Sequence, residues 1–422
     1  MSEWSVNTSK SGRYTITAQR FYQIDLPRLF GLFNDPESWP TEQPQRLMKL
    51  EPNQRIGYSF ANLSRVDIRF EQIRNGLYRV TLEHDQLHNE LELDWALHYW
   101  DLVLNSIFNR LGCEEVVAAT AFGKINMYLK VGPLLPTGYH QVATLYQSVN
   151  LPETVVVEHA PSWSVNTIGT VTPEHLAAVP TDESNLVVKV AQSLMNSFSV
   201  PHARPIQFSV HKTVPVAGGM GGGSADAAAA LLAVANFWEM DLSLGQLEVI
   251  AARIGVDVPF ALRGGAARGT GHGEVLTTIR QVSKLHWVLV PNDFGLSTPE
   301  VYAELDRLRS ARGVDPRGVR EAFMLDTLVN NLRIGASAEE IAPLLHNDLE
   351  EAAVSLRPEL QKVLDLQEQV YALRAIVSGS GPTVAMLARN ADDAIAIASR
   401  LRTYGQQAVV TSSPAGPARM VD

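Results

Sequence analysis

At 422 residues and 46.3 kDa, the chain exceeds a single core of ordinary size and predicts two or three domains. Apolar residues make up 45% and charged residues 19%, which excludes a disordered, collagenous or coiled-coil chain. The 45 acidic residues against 35 basic ones leave a net charge of −10, so binding to nucleic acid through its phosphates is not expected. The one cysteine, Cys113, excludes an internal disulfide and a cysteine-rich metal site, and suits a reducing compartment. The longest helical apolar stretch, Ala227 to Ala235, is about half the length that spans a bilayer. The N-terminus shows no apolar segment after a basic start. A cytoplasmic protein with no membrane span is the expectation.

The first domain is predicted over residues 1–112. Four of the seven tryptophans (Trp4, Trp39, Trp95 and Trp100) fall in the first quarter, which argues for a separate core there. Val66, Ile68 and Phe70 alternate with Asp67, Arg69 and Glu71, and Tyr78, Val80 and Leu82 alternate with Arg79, Thr81 and Glu83 after Asn75-Gly76. Asn-Gly between two alternating runs predicts a hairpin, because both residues tolerate positive φ. Apolar residues then repeat at three and four from Leu93 to Leu111, a helix that Gly112 would stop. A sheet followed by one long helix, together with Asp35–Trp39 and Tyr78–Leu87, resembles the helix-grip (START-like, SRPBCC) domains. That resemblance implies an apolar ligand between sheet and helix; a folded appendage with no ligand is the alternative.

From Val116 the pattern changes to strands, glycine turns and alanine-rich helices, without repeats or a long linker. Five of the six residues from Gly218 to Gly223 are glycine, after a strand-like run (Ile206–Val214) and before a predicted helix from Asp226 to Trp238. Glycines let backbone N–H groups converge, and the helix N-terminus adds partial positive charge, so the segment predicts a phosphate cradle. Its residues are Pro215, Val216, Ala217, Gly218, Gly219, Met220, Gly221, Gly222, Gly223, Ser224 and Ala225. No Walker A string or dinucleotide fingerprint is present. Asp293-Phe294-Gly295 lacks the His-Arg-Asp loop that a protein kinase needs. Upstream, Ala121–Leu129 reads as a strand with Ile125, Met127 and Leu129 on one face and Lys124, Asn126 and Tyr128 on the other. Thr137-Gly-Tyr-His140 is a turn that presents Tyr139 and His140. Asp257 is a lone carboxylate in the apolar run Ile254–Phe260, either a cap or a buried functional acid.

Taken in order, Lys124-Ile-Asn126, Gly138-Tyr-His140, the glycine loop, Asp257-Val-Pro-Phe260 and Gly379-Ser-Gly-Pro-Thr383 resemble the GHMP kinase superfamily. Leu296–Tyr302 and Asn347–Glu350 match as well, and within the superfamily the branch acting on a cytidyl sugar alcohol is the nearest. Gly123 departs from the alanine common at that place, and the first domain is an addition to the usual member. The resemblance covers about residues 115–415. It implies a two-lobed α+β kinase, with lobes over 113–278 and 279–422, following the helix-grip α+β domain. It implies phosphoryl transfer from ATP with Mg²⁺ to a small cytidyl substrate. Asp257 would accept or orient the proton of the attacking hydroxyl, with the charge of Lys124 beside it. The glycine loop would hold the phosphates, with Ser224 near the metal. Asn126, Tyr139, His140, Tyr302, Gly379 and Ser380 would contact the substrate, the two tyrosines sandwiching the base and His140 reading its edge. Alternatives are a homoserine- or mevalonate-type kinase and a non-catalytic nucleotide- or lipid-binding regulator.

Overall fold

The computed structural model describes residues 4–9, 12–39, 44–74, 76–111, 116–198, 200, 203, 205–280, 282–314 and 322–421. Its first unit is a six-stranded antiparallel sheet. In spatial order the strands are Ser5–Thr8, Tyr14–Gln23, Leu77–Leu87, Arg65–Arg74, Arg55–Ser59 and Arg46–Glu51. The predicted hairpin is the pair Arg65–Arg74 and Leu77–Leu87, with Gly76 at φ +77°; Asn75 lies outside the described residues, as do Gly112 and Cys113. The predicted helix runs Glu90–Leu111.

Between sheet and helix the space is taken up by rings. Trp39, Tyr58, Phe60, Tyr99 and Trp100 are all buried and meet mostly edge to face. They occupy the interior in which the helix-grip resemblance placed an apolar ligand. The Trp100 indole N–H donates to His84 Nδ1 at 2.9 Å, and His84 Nε2 meets Ser64 Oγ at 2.8 Å. Indole nitrogen can only donate, so the His84 proton sits on Nε2. Burial holds the His84 pKa down to about 3, which keeps this aromatic core uncharged.

The next sheet is built on two long antiparallel strands, Val116–Leu134 and His140–His159. Val275–Ile279, Ala266–Thr270, Ile206–Lys212 and Ser164–Gly169 extend it. Helices Leu186–Ser197, Gly222–Phe237 and Leu244–Ile254 pack together against this sheet. Gly222–Phe237 is apolar on nearly all sides, with Ala227 to Leu231 fully buried, as a helix at the centre of a core requires. A four-stranded antiparallel sheet follows in the order Arg374–Val377, Val384–Ala388, Leu285–Val290, Val409–Ser413. Two short strands from this last third cross back: His346–Asn347 pairs with Tyr128 and Leu129, and Arg419–Val421 pairs with Ala118–Thr120. The first unit touches the second sheet through Phe21, Ile73 and Leu77 against Ala118 and Val156.

Candidate active site

A cavity of about 840 Å³ opens where these elements converge, lined by the glycine loop, both long strands, the Asp257 turn and the Gly379 turn. The loop's helix begins at Gly222, four residues before the predicted start, with Gly221 as N-cap at φ +68°. Only glycine suits two of these positions. A Cβ on Gly219 (φ +74°) would lie 2.1 Å from the Ser378 carbonyl oxygen, and one on Gly218 would lie 2.7 Å from Thr383 Oγ1. The two glycine turns interlock, and Thr383 N–H donates to Gly218 O at 3.3 Å. Nine of the eleven predicted loop residues line the cavity; Met220 and Ala225 do not. Both are buried in the cores beneath, Met220 at 1% exposure and Ala225 at 0%, and they anchor the loop instead of contacting a ligand.

Lys124 and Asn126 share one face of Val116–Leu134, as their spacing predicted, and both line this cavity. Lys124 Nζ donates to Asn126 Oδ1 at 2.7 Å, and Asn126 Nδ2 donates to Thr144 Oγ1 at 2.8 Å. Asp257 sits just before the short helix Val258–Arg263, its side chain making no cap hydrogen bond, and its Oδ2 lies 3.7 Å from Lys124 Nζ. Asp257 thus stands at the cap position without a cap bond, half-buried, with its carboxylate on the cavity wall beside Lys124. Tyr128 does not join this face. A register shift between Asn126 and Tyr128 breaks the period of two, and Tyr128 packs in the same core as Ile125 and Met127. Gly123 also has a local reason, since a Cβ there would come 2.8 Å from Val214 Cγ2.

Tyr146 was not anticipated from the sequence. Burial, and then the Asp257 carboxylate, pushes its phenol well up, so it is a neutral hydroxyl beside that acid. Tyr302 is pushed up to about 12 by the same two causes in the same order. At the far end each of the two predicted tyrosines lies beside a histidine ring. The Tyr139 ring stacks on His272 at 5.1 Å, and Tyr302 lies 5.0 Å from His140. His140 Nε2 meets both oxygens of Asp306 at 3.0 Å. Gly379 and Ser380 line the wall between the two ends. Asn347 Nδ2 donates to Val377 O and Gly379 O at 2.8 Å each, and Ser380 Oγ meets Thr298 Oγ1 at 2.9 Å.

Under the glycine loop lies a buried ion cluster. Lys212 Nζ is 3.0 Å from Glu153 Oε1 and 2.6 Å from Asp226 Oδ2. Glu153 also accepts from Val214 N–H at 2.9 Å, tying the cluster to the strand that leads into the loop. Burial pushes Glu153 well up and Asp226 up, since one lysine cannot neutralise two buried carboxylates. The sequence signal was there in part: Lys212 and Glu153 each interrupt an apolar strand, and buried charges need partners. Among the described residues, no three His, Cys, Asp or Glu side chains gather as a metal cage. A nucleotide-borne magnesium ion needs none, because it keeps several waters and takes one or two protein oxygens besides phosphate. The Ser224 hydroxyl, in the first turn of the helix and on the cavity wall, fits that demand.

Comparison with known proteins agrees with this geometry. The family described as GHMP kinases N terminal domain matches residues 185–265, and that described as GHMP kinases C terminal matches residues 330–407. The 4-diphosphocytidyl-2-C-methyl-D-erythritol kinase of Nocardia farcinica is 44% identical over 309 residues, 72% of this chain and 96% of that protein. The enzyme of that name from Pseudarthrobacter chlorophenolicus is 44% identical over 313 residues, 73% of this chain and 95% of its own. The chain belongs to the 4-diphosphocytidyl-2-C-methyl-D-erythritol kinase family. It is an ATP-dependent small-molecule kinase of the GHMP type. A crystal structure of 4-(cytidine 5'-diphospho)-2C-methyl-D-erythritol kinase superposes with a TM-score of 0.56 at 26% identity, over 71% of this kinase and 100% of that chain. Mevalonate kinase from L. major, at 16% identity, shares the fold with a TM-score of 0.57 over 71% of this kinase and 95% of its own chain. These relatives match nearly end to end yet leave more than a quarter of this kinase without a counterpart.

Proposed function

We propose that this kinase transfers the γ-phosphoryl group of ATP to the 2-hydroxyl of 4-diphosphocytidyl-2-C-methyl-D-erythritol, in the non-mevalonate route to isoprenoid precursors. The observation that carries the reading is the Lys124–Asp257 pair, 3.7 Å apart, in one cavity with the interlocked glycine turns. Asp257 accepts the hydroxyl proton as the new O–P bond forms and the bond between the β- and γ-phosphates breaks, releasing ADP. Lys124, held toward the cavity by Asn126, stabilises negative charge on the attacking oxygen. Gly218, Gly219 and Gly221 to Gly223 cradle the phosphates, and Ser224 would hold the magnesium ion, which neutralises charge on the phosphate oxygens. Little covalent work falls to the protein in such a transfer, so positioning by the two rigid glycine turns is its main contribution.

At the other end, Tyr139 and Tyr302 stack the pyrimidine and His140 contacts its edge. Four rings at this end of the cavity favour a base-bearing substrate over homoserine or mevalonate, which have no ring to stack. The deciding assay compares phosphorylation of the cytidyl substrate, its uridyl analogue, homoserine and mevalonate. Strong preference for the cytidyl compound is expected, with His140→Ala reducing the preference over uridyl and Tyr302→Ala raising KM for both. Equal use of the two analogues, or efficient turnover of homoserine or mevalonate, overturns the substrate.

A further inference from the structure

The strand Arg46–Glu51 ends the strand order of the first sheet, and its outer edge pairs with no other strand among the described residues. Leu47, Met48 and Leu50 are 46%, 52% and 44% exposed. Natural edge strands are usually short, charged, proline-bearing or covered, because an apolar edge recruits another strand. The register with the neighbouring strand sorts the faces. Leu47 and Leu50 stand opposite Tyr58 and Ile56, both core residues. Arg46, Lys49 and Glu51 stand opposite Ser59, Gly57 and Arg55, on the outer face. A register shift between Leu47 and Lys49 makes Met48 an extra residue, and this is what keeps the two leucines on one face three positions apart.

We propose that this edge pairs antiparallel with the same edge of a second copy of the chain, about a twofold axis between Met48 and Lys49. A twofold interface must be self-complementary, and this hexapeptide is. Arg46 faces the partner's Glu51 on the outer side, and Leu47 faces the partner's Leu50 on the core side; each pairing occurs twice. The match holds for both faces at once, so the apolar layer and the charged layer each continue across the junction. Sliding the strands by two residues would set Arg46 against the partner's Lys49, so charge selects the register. Glu51 already lies 2.9 Å from Lys49 Nζ, yet its side chain is 46% exposed and has room for a second cation. Six residues of strand make a small interface, so the dimer is weak and forms with rising concentration.

The test is sedimentation of the full chain over a wide concentration range at low salt. The unmodified protein is expected to shift from monomer to dimer. Arg46→Glu places two carboxylates opposite each other at both ends of the junction and should weaken association roughly tenfold or more. Glu51→Arg should do the same by opposing two cations, and the double variant should regain dimerisation, which a merely structural role would not predict. Leu47→Lys with Leu50→Lys should abolish it. All four side chains are at the surface of one copy, so circular dichroism should be unchanged throughout. A chain that stays monomeric at every concentration overturns the proposal. So does a dimer indifferent to both single charge reversals, or a double variant that regains nothing.

Discussion

Gly219→Ala and Gly223→Ala put the same methyl group into the same loop, and the structure separates their consequences. At Gly219 the methyl would sit 2.1 Å from the Ser378 carbonyl oxygen, and the residue would hold φ at +74°. Ser378 O is not free to yield, since it accepts from Gly381 N–H at 2.8 Å, and Ser378 N–H donates to Thr383 O at 2.9 Å. An ordinary carbon–oxygen contact is about 3.5 Å, so the two turns must part by more than ~1 Å. The left-handed backbone adds about 1–2 kcal/mol of strain. A displacement of that size in a positioning element lowers turnover on the order of 10²-fold, so kcat/KM for ATP should fall by about that factor. At Gly223 the methyl would meet only Leu186 Cδ1, at 3.7 Å, an ordinary contact, and φ is not positive. That variant leaves the two turns interlocked and should lose less activity than Gly219→Ala. Steady-state kinetics with ATP varied, alongside thermal melting of both variants, checks the contrast. Equal activity of the two variants would refute the interlock of the glycine turns as the feature that positions nucleotide.

Asp257→Asn keeps the shape of the side chain but loses its charge, so kcat should drop on the order of 10²–10⁴-fold with ATP binding nearly unchanged; near-normal single-turnover rates would remove Asp257 from the chemistry. Asp348 is raised by burial, but a hydrogen bond from His346, the Val131 N–H and the charge of Lys130 bring its carboxyl net down to about 2 from 3.8. A depressed pKa contributes stability above the unfolded value that is lost as pH falls toward the folded one. About 2 kcal/mol should therefore disappear between roughly pH 4 and pH 2. Urea titrations across that range should show the loss, and Asp348→Asn should flatten it; an unchanged slope in the variant would count against the assignment. A chain starting at Glu114 keeps every residue of the cavity and should retain kinase activity. It should melt earlier, because Ala118 and Val156 lose the cover of Phe21, Ile73 and Leu77. Inactivity in a monodisperse truncation would mean that the first unit shapes the site.

The local elements were legible in the residues because each rests on neighbours in sequence. The alternating runs around Gly76 became a hairpin, the three-and-four repeat became the helix Glu90–Leu111, and the glycines before an alanine-rich run became a loop and helix N-terminus. Lys124 and Asn126 were placed side by side by a period of two that holds over those residues. The same period failed two residues later, at Tyr128, because a bulge depends on the partner strand and leaves no mark in the strand's own pattern. Contacts between distant segments were decided by tertiary packing alone. Periodicity reports which face of an element is buried, not what buries it. Thus nothing in the apolar run around Asp257 told that the chain brings it to 3.7 Å from Lys124. Lys212 and Glu153 showed only as charges in apolar strands until they met Asp226. Gly219 was one glycine among five, and the carbonyl of Ser378, far along the chain, is what forbids any other residue there.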